Sequence, residues 1–449
     1  MIEKLPVAII GAGPVGLAAA AHLVERGLTP LVLERGPFVG ASLLAWGHVR
    51  VFSPWSVNID GAARSLLEES GWTPPDPNAL PTGSEIVRRY LAPLAEHPSI
   101  APHVILGATV TGIARTGLDK AVSAGREAAP FVVRWRDAEG GDHESRARAV
   151  IDASGTWSQP NPMGADGLPV AGETECSDRI AYGIPDVLGA ERKRYAGRRV
   201  FVAGSGHSAI NVVLDLLRLQ ETAPATRVTW ALRRNRIGKL LGGGLNDHLP
   251  ARGALGLAAK RAIDERRLDL MAPFAAERIA GTQDGLSVSG RLDGESVTRA
   301  ADRIVVATGF RPDLGILREL RVALDPAVEA PPALAPLIDP NLHSCGTVRP
   351  HGARELGHPE PGFYIAGSKS YGRAPTFLMM TGYEQVRSVV AEIAGDHAAA
   401  REAQLVLPET GVCNTAAVVG SPASDCCGGP APSDIAACCA ADAAAKAAG

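Results

Sequence analysis

Apolar residues in this chain fall into short unbroken runs separated by polar turns, and several runs end in glycine. Val7–Ile10 is wholly apolar and enters Gly11-Ala12-Gly13-Pro14-Val15-Gly16, after which apolar residues continue to position 24. Pro30–Glu34 is a second such run, closed by an acid. The same order recurs at Arg199–Ala203, which enters Gly204-Ser205-Gly206-His207-Ser208-Ala209 and is followed by an apolar run over 226–232. Short apolar runs bounded by turn residues predict strands buried on both faces, as in parallel sheets. Further strands are predicted over 104–113, 131–135, 149–157 and 362–367, with 303–313 echoing the strand and turn of 149–157, and helices over 83–95 and 376–392.

Strand, glycine turn and helix in that order give each glycine a task. Gly11 permits the tight turn, Gly13 lets backbone approach a pyrophosphate, and Gly16 lets helix and strand pack closely. The pyrophosphate then meets free N–H groups at a helix N-terminus, where the helix dipole favours negative charge. Glu34 ends the next strand, where a carboxylate accepts hydrogen bonds from ribose hydroxyls and repels a 2′-phosphate. FAD is therefore expected at the first turn. Its other contacts are expected from Pro14, Arg35, Gly40, Ser42, Val110, Ser154, Gly155, Gly367 and Thr376. The second turn, Gly204, Gly206, His207 and Ser208, leads to Arg233 and Arg234, suited to the 2′-phosphate of NADPH. A solvated basic turn is the plainer alternative there. Thr308 and Gly309, in Ala307-Thr308-Gly309-Phe310, echo the turn at 153–155.

The expected fold is α/β, with two Rossmann-type dinucleotide-binding domains, the NADPH domain inserted in the FAD domain, and a flexible Cys-rich tail. The boundaries are 1–159 for the first part of the FAD domain, 160–300 for the NADPH domain, 301–395 for the second part of the FAD domain and 396–449 for the tail. The Pro-rich stretch Gln159-Pro160-Asn161-Pro162 reads as a hinge.

Bulk numbers narrow the function. The 449 residues have room for two or three domains, and 46% hydrophobic with 21% charged residues is a globular composition. A formal net charge of −3 and 4% aromatic residues supply neither a basic field nor an aromatic-basic stripe for nucleic acid or membrane. Residues 7–24 could pass for a signal peptide or a span, but Pro14, the turn glycines and His22 argue against that. The expected location is the cytoplasm.

The two glycine turns and Ala307-Thr308-Gly309-Phe310-Arg311-Pro312-Asp313 resemble the two-dinucleotide flavoproteins, most nearly flavin-containing monooxygenase-like proteins of bacterial arsenic-resistance clusters. The likeness spans about residues 5–395. It implies that reduced flavin activates oxygen and oxygenates a soft nucleophile such as nitrogen, sulfur or selenium, while NADP⁺ stays bound. It places Trp46, His48, Arg50, Ser53 and Trp55 in the flavin-lining loop. The chain departs from that family at 170–178, where the FxGxxxHxxx(F/Y) fingerprint has no match.

Five of the seven cysteines stand from 413 onward: Cys413, Cys426, Cys427, Cys438 and Cys439. Adjacent thiols make strained disulfides but suit soft thiophilic ions such as trivalent arsenic or antimony. A flexible thiol arm would raise substrate concentration at the flavin. An incidental low-complexity tail is the alternative. No cysteine lies in 40–55, so the CxxxxC relay of disulfide reductases is missing, as is a CxxC in 160–300. Catalytic candidates are Trp46, His48, Lys369, Tyr371 and Arg373, the last three within the loop 368–376, for which a solvated loop is the rival reading. Cys345 and His351 flank a nearby turn.

These readings give an NADPH-dependent FAD monooxygenase or oxidase. Its partners are molecular oxygen and a small soft substrate, with trivalent arsenicals the specific expectation. The alternatives are an NADPH-dependent metal or disulfide reductase using the tail thiols, and a metalloid-binding carrier. The oligomeric state is open, a homodimer included.

Overall fold

The computed structural model describes residues 2–234, 249–340, 348–375 and 377–405. Its strands in chain order begin with β1 (Val7–Ile10), β2 (Pro30–Glu34) and β3 (Val104–Leu106). An antiparallel trio follows, β4 (Thr109–Arg115), β5 (Phe131–Arg136) and β6 (Asp142–Ala147), and then β7 (Ala149–Asp152). Next come β8 (Ile180–Tyr182), β9 (Arg199–Ala203), β10 (Arg227–Ala231) and β11 (Asp269–Met271). A second antiparallel trio, β12 (Phe274–Thr282), β13 (Gly285–Leu292) and β14 (Glu295–Ala301), precedes β15 (Arg303–Val306) and β16 (Phe363–Ile365).

Two five-stranded parallel sheets carry the design. Their orders are β16-β7-β1-β2-β3 and β11-β10-β9-β15-β8. Helix α1 (Pro14–Glu25) connects β1 to β2, and α2 (His207–Thr222) connects β9 to β10. Helix α3 (Pro250–Asp264) precedes β11, and α4 (Met379–Ile393) follows β16. Parallel strands need such crossovers, and the helices cover one face of each sheet.

Alternation along each strand explains why both faces are apolar. Ile9, Val32 and Ile151 pack with Leu17 and Leu23 of α1 and Val386 and Val389 of α4. Ala8, Ile10, Leu33 and Val150 face the opposite way and pack on Phe131 and Val133 of the first trio. The second sheet repeats the scheme. Val200 and Val202 meet Val213 and Leu216 of α2, while Phe201 and Ala203 meet Phe274 and Val288 of the second trio. Each such fully buried Val, Leu, Ile or Phe side chain contributes about 1.5–3 kcal/mol.

Several sequence expectations change. The strand expected over 104–113 breaks at Gly107 (φ 70°), so β3 joins the first sheet and β4 starts the antiparallel trio. β15 pairs with β9 and β8, which puts 303–306 in the second sheet rather than in the returning segment assigned from 301. The helix expected over 376–392 begins at Met379, and Thr376 lies outside the described residues. The helix over 83–95 forms with a π turn at Val87–Leu91, and its start is fixed by a reciprocal Thr82–Glu85 cap. The tail cysteines lie outside the described residues, and no described helix is long and apolar enough to cross a membrane.

Candidate active site

The first glycine turn is shaped by sterics. Gly11 has φ 99°, and a Cβ there would lie 2.9 Å from the carbonyl oxygen of Ala153. A Cβ on Gly16 would come within 1.9 Å of the Gly11 carbonyl, so helix and strand touch through this glycine. Gly13 differs: nothing lies within 4 Å of where its Cβ would stand. It is the N-cap of α1, with φ −81°, and makes no side-chain cap. Glu34 is more committed than the sequence suggested. Its carboxylate accepts from Ala12 N and from Gly36 N, both at 2.7 Å, bracing the turn. A carboxylate has about four acceptor sites, so capacity for a ribose remains. Gly40, at φ 66°, donates to the Ala12 carbonyl over 2.9 Å, with Arg35 exposed and Ser42 half-buried alongside. Val110 is half-buried in β4 opposite Trp135.

The second turn repeats the first. Gly204 has φ 136°, and its Cβ would lie 2.2 Å from the Ala307 carbonyl. Gly206 caps α2 at φ −87° with no side-chain cap and, like Gly13, faces open space. Two uncapped helix N-termini behind open glycines are what a dinucleotide pyrophosphate requires. His207 and Ser208 open α2, and Trp230 Nε1 donates to the Gly204 carbonyl at 2.8 Å. Arg233 and Arg234 are exposed just past β10, and Arg233 donates to the Ala165 carbonyl at 3.0 Å. Thr308 and Gly309 sit at the hinge. Thr308 Oγ1 donates to the Asn161 carbonyl at 2.9 Å, and Asn161 N donates to the Gly309 carbonyl at 2.9 Å.

Between the turns lies the loop that the resemblance called flavin-lining, and most of its candidates serve the scaffold. Trp55 is buried in the first core. Trp46 packs over Gly83, whose Cβ would lie 3.1 Å from the indole. Arg50 donates to the Leu80 carbonyl and approaches Glu85, and Ser53 donates to Asn58 Oδ1 at 2.9 Å. His48 is half-buried, and its Nε2 is buried without a hydrogen-bond partner. It lies within electrostatic reach of Asp215 on α2, whose pKa burial raises. Sequence reasoning passed over Phe52. Its ring is 5.2 Å from that of His207, and the Arg252 guanidinium stands 5.9 Å from its centroid. A small cavity nearby is lined by Ser53, Val57, Asn58, Leu249, Leu378, Met379 and Met380, at the start of α4.

The loop that begins at 368 is buried in its first part, and Arg373 and Pro375 beyond it are exposed. Gly367–Tyr371 forms a 3₁₀ turn in which Lys369, Ser370 and Tyr371 are buried. Lys369 Nζ pairs with Asp152 Oδ2 at 2.7 Å, and its side chain is 1% exposed against 0% for Asp152. Burial pushes the Tyr371 hydroxyl well above its ordinary pKa. Arg373 pairs with Glu329 at 2.8 Å. His351 is also buried, its pKa lowered by desolvation; Nδ1 donates to the Arg349 carbonyl at 2.9 Å and Nε2 accepts from Gln385. Asp152 gave no sequence signal beyond closing an apolar strand. Cys345 lies outside the described residues, where the sole cysteine is the buried Cys176.

Residues 8–334 match the pyridine nucleotide-disulphide oxidoreductase family, and the chain belongs to it. It is a flavoprotein oxidoreductase with FAD and NADPH as cofactors. It is 31% identical over 215 residues to indole-3-pyruvate monooxygenase YUCCA1 of Oryza sativa subsp. japonica, covering 47% of this chain and 44% of that one. It is 23% identical over 321 residues to a ferredoxin–NADP reductase of Streptococcus pneumoniae, covering 71% and 78% respectively. The fold is similar to bacillithiol disulfide reductase Bdr from Bacillus cereus, with TM-score 0.65 at 20% identity over 87% of this chain and 99% of that one. It is also similar to DfoA, a cadaverine monooxygenase from Erwinia amylovora, with TM-score 0.62 at 14% identity over 90% and 97%. At these identities the solved structures speak for the fold alone.

Proposed function

We propose that this chain is an NADPH-dependent FAD monooxygenase of a soft nucleophile, with FAD on the first glycine turn and NADPH on the second. The observation that carries this reading is two uncapped, open glycine turns with no thiol relay between them among the described residues, where the one cysteine, Cys176, is buried in the core of the second layer. With no cysteine in 40–55, electrons that reach the first cofactor pass either to a diffusible acceptor or to the tail thiols. Similarity over about half the chain to an indole-3-pyruvate monooxygenase supports oxygen in that role.

When bound, FAD accepts hydride from NADPH and activates oxygen. The protein's own part is positional. Exposed Arg233 and Arg234 would hold the 2′-phosphate, His207 at the start of α2 would serve the pyrophosphate, and the uncapped start of α4 would favour negative charge on the flavin. The substrate we propose is a trivalent arsenical. The arsenic lone pair takes one oxygen atom of O₂, so that the arsenic becomes pentavalent, the other oxygen leaves as water, and NADPH with one proton supplies the two electrons and both hydrogens of that water. Pentavalent arsenic has lost its thiol affinity, so the reaction detoxifies. Cys413, Cys426, Cys427, Cys438 and Cys439 are proposed to capture the substrate.

Oxygen uptake with NADPH tests this. Arsenite or a methylated trivalent arsenical should stimulate uptake, with one O₂ consumed per NADPH and little peroxide. Uptake that yields only peroxide and ignores arsenicals would contradict the oxygenase reading, and NADPH-driven reduction of a disulfide or metal ion would replace it. A Cys426→Ser/Cys427→Ser variant should lose activity at low arsenite and recover it at high arsenite.

A further inference from the structure

A fully buried ion pair sits beneath the exposed residue Ser154 at the first glycine turn. Asp152 ends β7 opposite Ile10, the last residue of β1, and Gly11 follows Ile10. A Cβ on Gly11 would lie 3.1 Å from Ser154 Cα, so Ser154 flanks the turn directly. Ser154 itself is exposed. Its Oγ lies 2.6 Å from Asp152 Oδ1, its N donates to the same oxygen at 3.2 Å, and Lys369 Nζ donates to its Oγ at 3.1 Å.

These contacts fix the polarity of the hydroxyl. The ionised carboxylate only accepts and the ammonium only donates. Ser154 must therefore give its single proton to Asp152 and take one from Lys369. What remains on the solvent side is a lone pair. A phosphate oxygen, itself an acceptor, gains nothing from such a group, whereas a ligand hydroxyl does.

A second chain of bonds secures the lysine from behind. Gln385 Oε1 accepts from Gly367 N at 2.7 Å, and Gln385 Nε2 donates to Ser370 Oγ and His351 Nε2, each at 2.9 Å. Ser370 Oγ donates to the Gly367 carbonyl at 2.7 Å. The turn that carries Lys369 is thus clamped at both ends. A buried ion pair is a poor source of stability, and orienting a neighbour is a better-attested use.

We propose that Asp152 and Lys369 are positioning residues that lock the Ser154 hydroxyl as an acceptor, and that its ligand is a hydroxyl of the polyol chain of the dinucleotide on the first turn. This assigns Lys369 a role other than catalysis. It rests on FAD occupying the first turn but not on oxygen transfer.

Titrating apoprotein with FAD, followed by flavin fluorescence, tests it. Ser154→Ala removes the hydrogen bonds of Ser154 Oγ with Asp152 and Lys369, so it should lower the apoprotein's Tm slightly and weaken FAD binding about five- to tenfold. Asp152→Asn/Lys369→Met removes both charges together, leaves no lone buried ion, and should weaken FAD binding severalfold. Adding Ser154→Ala to that pair should change nothing further, because the hydroxyl is already unlocked. A purely structural pair would lower Tm and give multiplicative losses. Binding within twofold of the parent for Ser154→Ala, or independent multiplicative effects, overturns the proposal. An apoprotein that takes no FAD overturns it along with the cofactor placement, whereas failure to transfer oxygen overturns only the proposed function.

Discussion

The ring of Phe52 lies 5.2 Å from the ring of His207 and is tilted 49° to it, so the loop before Trp55 touches the first residue of α2. With Arg252 at 5.9 Å from its centroid, Phe52 lies at the open end of the second turn. Its removal should loosen the register between donor and acceptor rings more than it weakens nucleotide binding. Phe52→Ala is expected to slow the limiting rate of anaerobic flavin reduction about tenfold, with the NADPH Kd changed less than threefold. Stopped-flow measurement of reduction against NADPH concentration separates the two. A large change in Kd alone would assign Phe52 to binding instead.

The glycines of the two turns should divide by what surrounds them. Gly16→Ala and Gly204→Ala drive a Cβ to 1.9 Å and 2.2 Å from backbone carbonyl oxygens, and both should cost the protein several kcal/mol or prevent folding. Gly13→Ala and Gly206→Ala meet nothing within 4 Å and should leave the apoprotein's Tm nearly unchanged. They should instead block the pyrophosphate. Gly13→Ala should lose FAD and keep NADP⁺ binding, and Gly206→Ala the reverse. Calorimetry of each apoprotein with each nucleotide checks all four, and it also tests which turn holds which dinucleotide.

Glu360 joins two arginines out of water. It meets Arg115 Nε at 2.8 Å and Arg126 Nη2 at 2.6 Å, with all three side chains at most 4% exposed. Burial works against its charge, but the Arg126 and Arg115 guanidiniums outweigh that and hold its carboxyl below the usual range. Glu360→Gln leaves two buried cations without a counter-charge and should destabilise the fold by about 3–5 kcal/mol in urea unfolding. A loss below about 1 kcal/mol would mean that the guanidiniums find other solvation.

His358 gives a pH signature. Desolvation pushes its imidazole down to about 4, outweighing its bond to the Ala323 carbonyl. The unfolded chain then binds a proton near pH 6.5 that the folded chain refuses until about pH 4. Stability should fall as pH drops through that window, and be unaffected by this group above it. His358→Leu removes the penalty, so its stability relative to the parent should improve by about 1–3 kcal/mol between pH 7.5 and pH 4.5. A gap between the two proteins that stays constant with pH would contradict the assignment.

Features of local backbone origin were legible in the sequence. Both glycine turns were, because positive φ at Gly11 and Gly204 and the close approach at Gly16 admit only glycine. The membership of Arg303–Val306 was not. That run has the same apolar character as Ala149–Asp152, and only pairing with β9, about a hundred residues earlier, assigns it to the second sheet. The second antiparallel trio did carry a signal, Asp293-Gly294, a two-residue turn with both φ values positive. The burial of Lys369 was not legible, because a lysine beside serines and glycines also fits a solvated loop and its partner Asp152 is 217 residues away. The packing of Trp55 in the core and of Trp46 against Gly83 was not legible for a similar reason, since both contacts are set by residues distant in sequence.

The most direct test is a single turnover with labelled oxygen. Protein loaded with FAD is reduced by one equivalent of NADPH without air, then mixed with ¹⁸O₂ and a trivalent arsenical. One labelled oxygen atom in the pentavalent product, with a yield approaching one per flavin, is the result expected of an oxygenase. Reoxidation of the flavin to give labelled peroxide and unlabelled arsenical would contradict it.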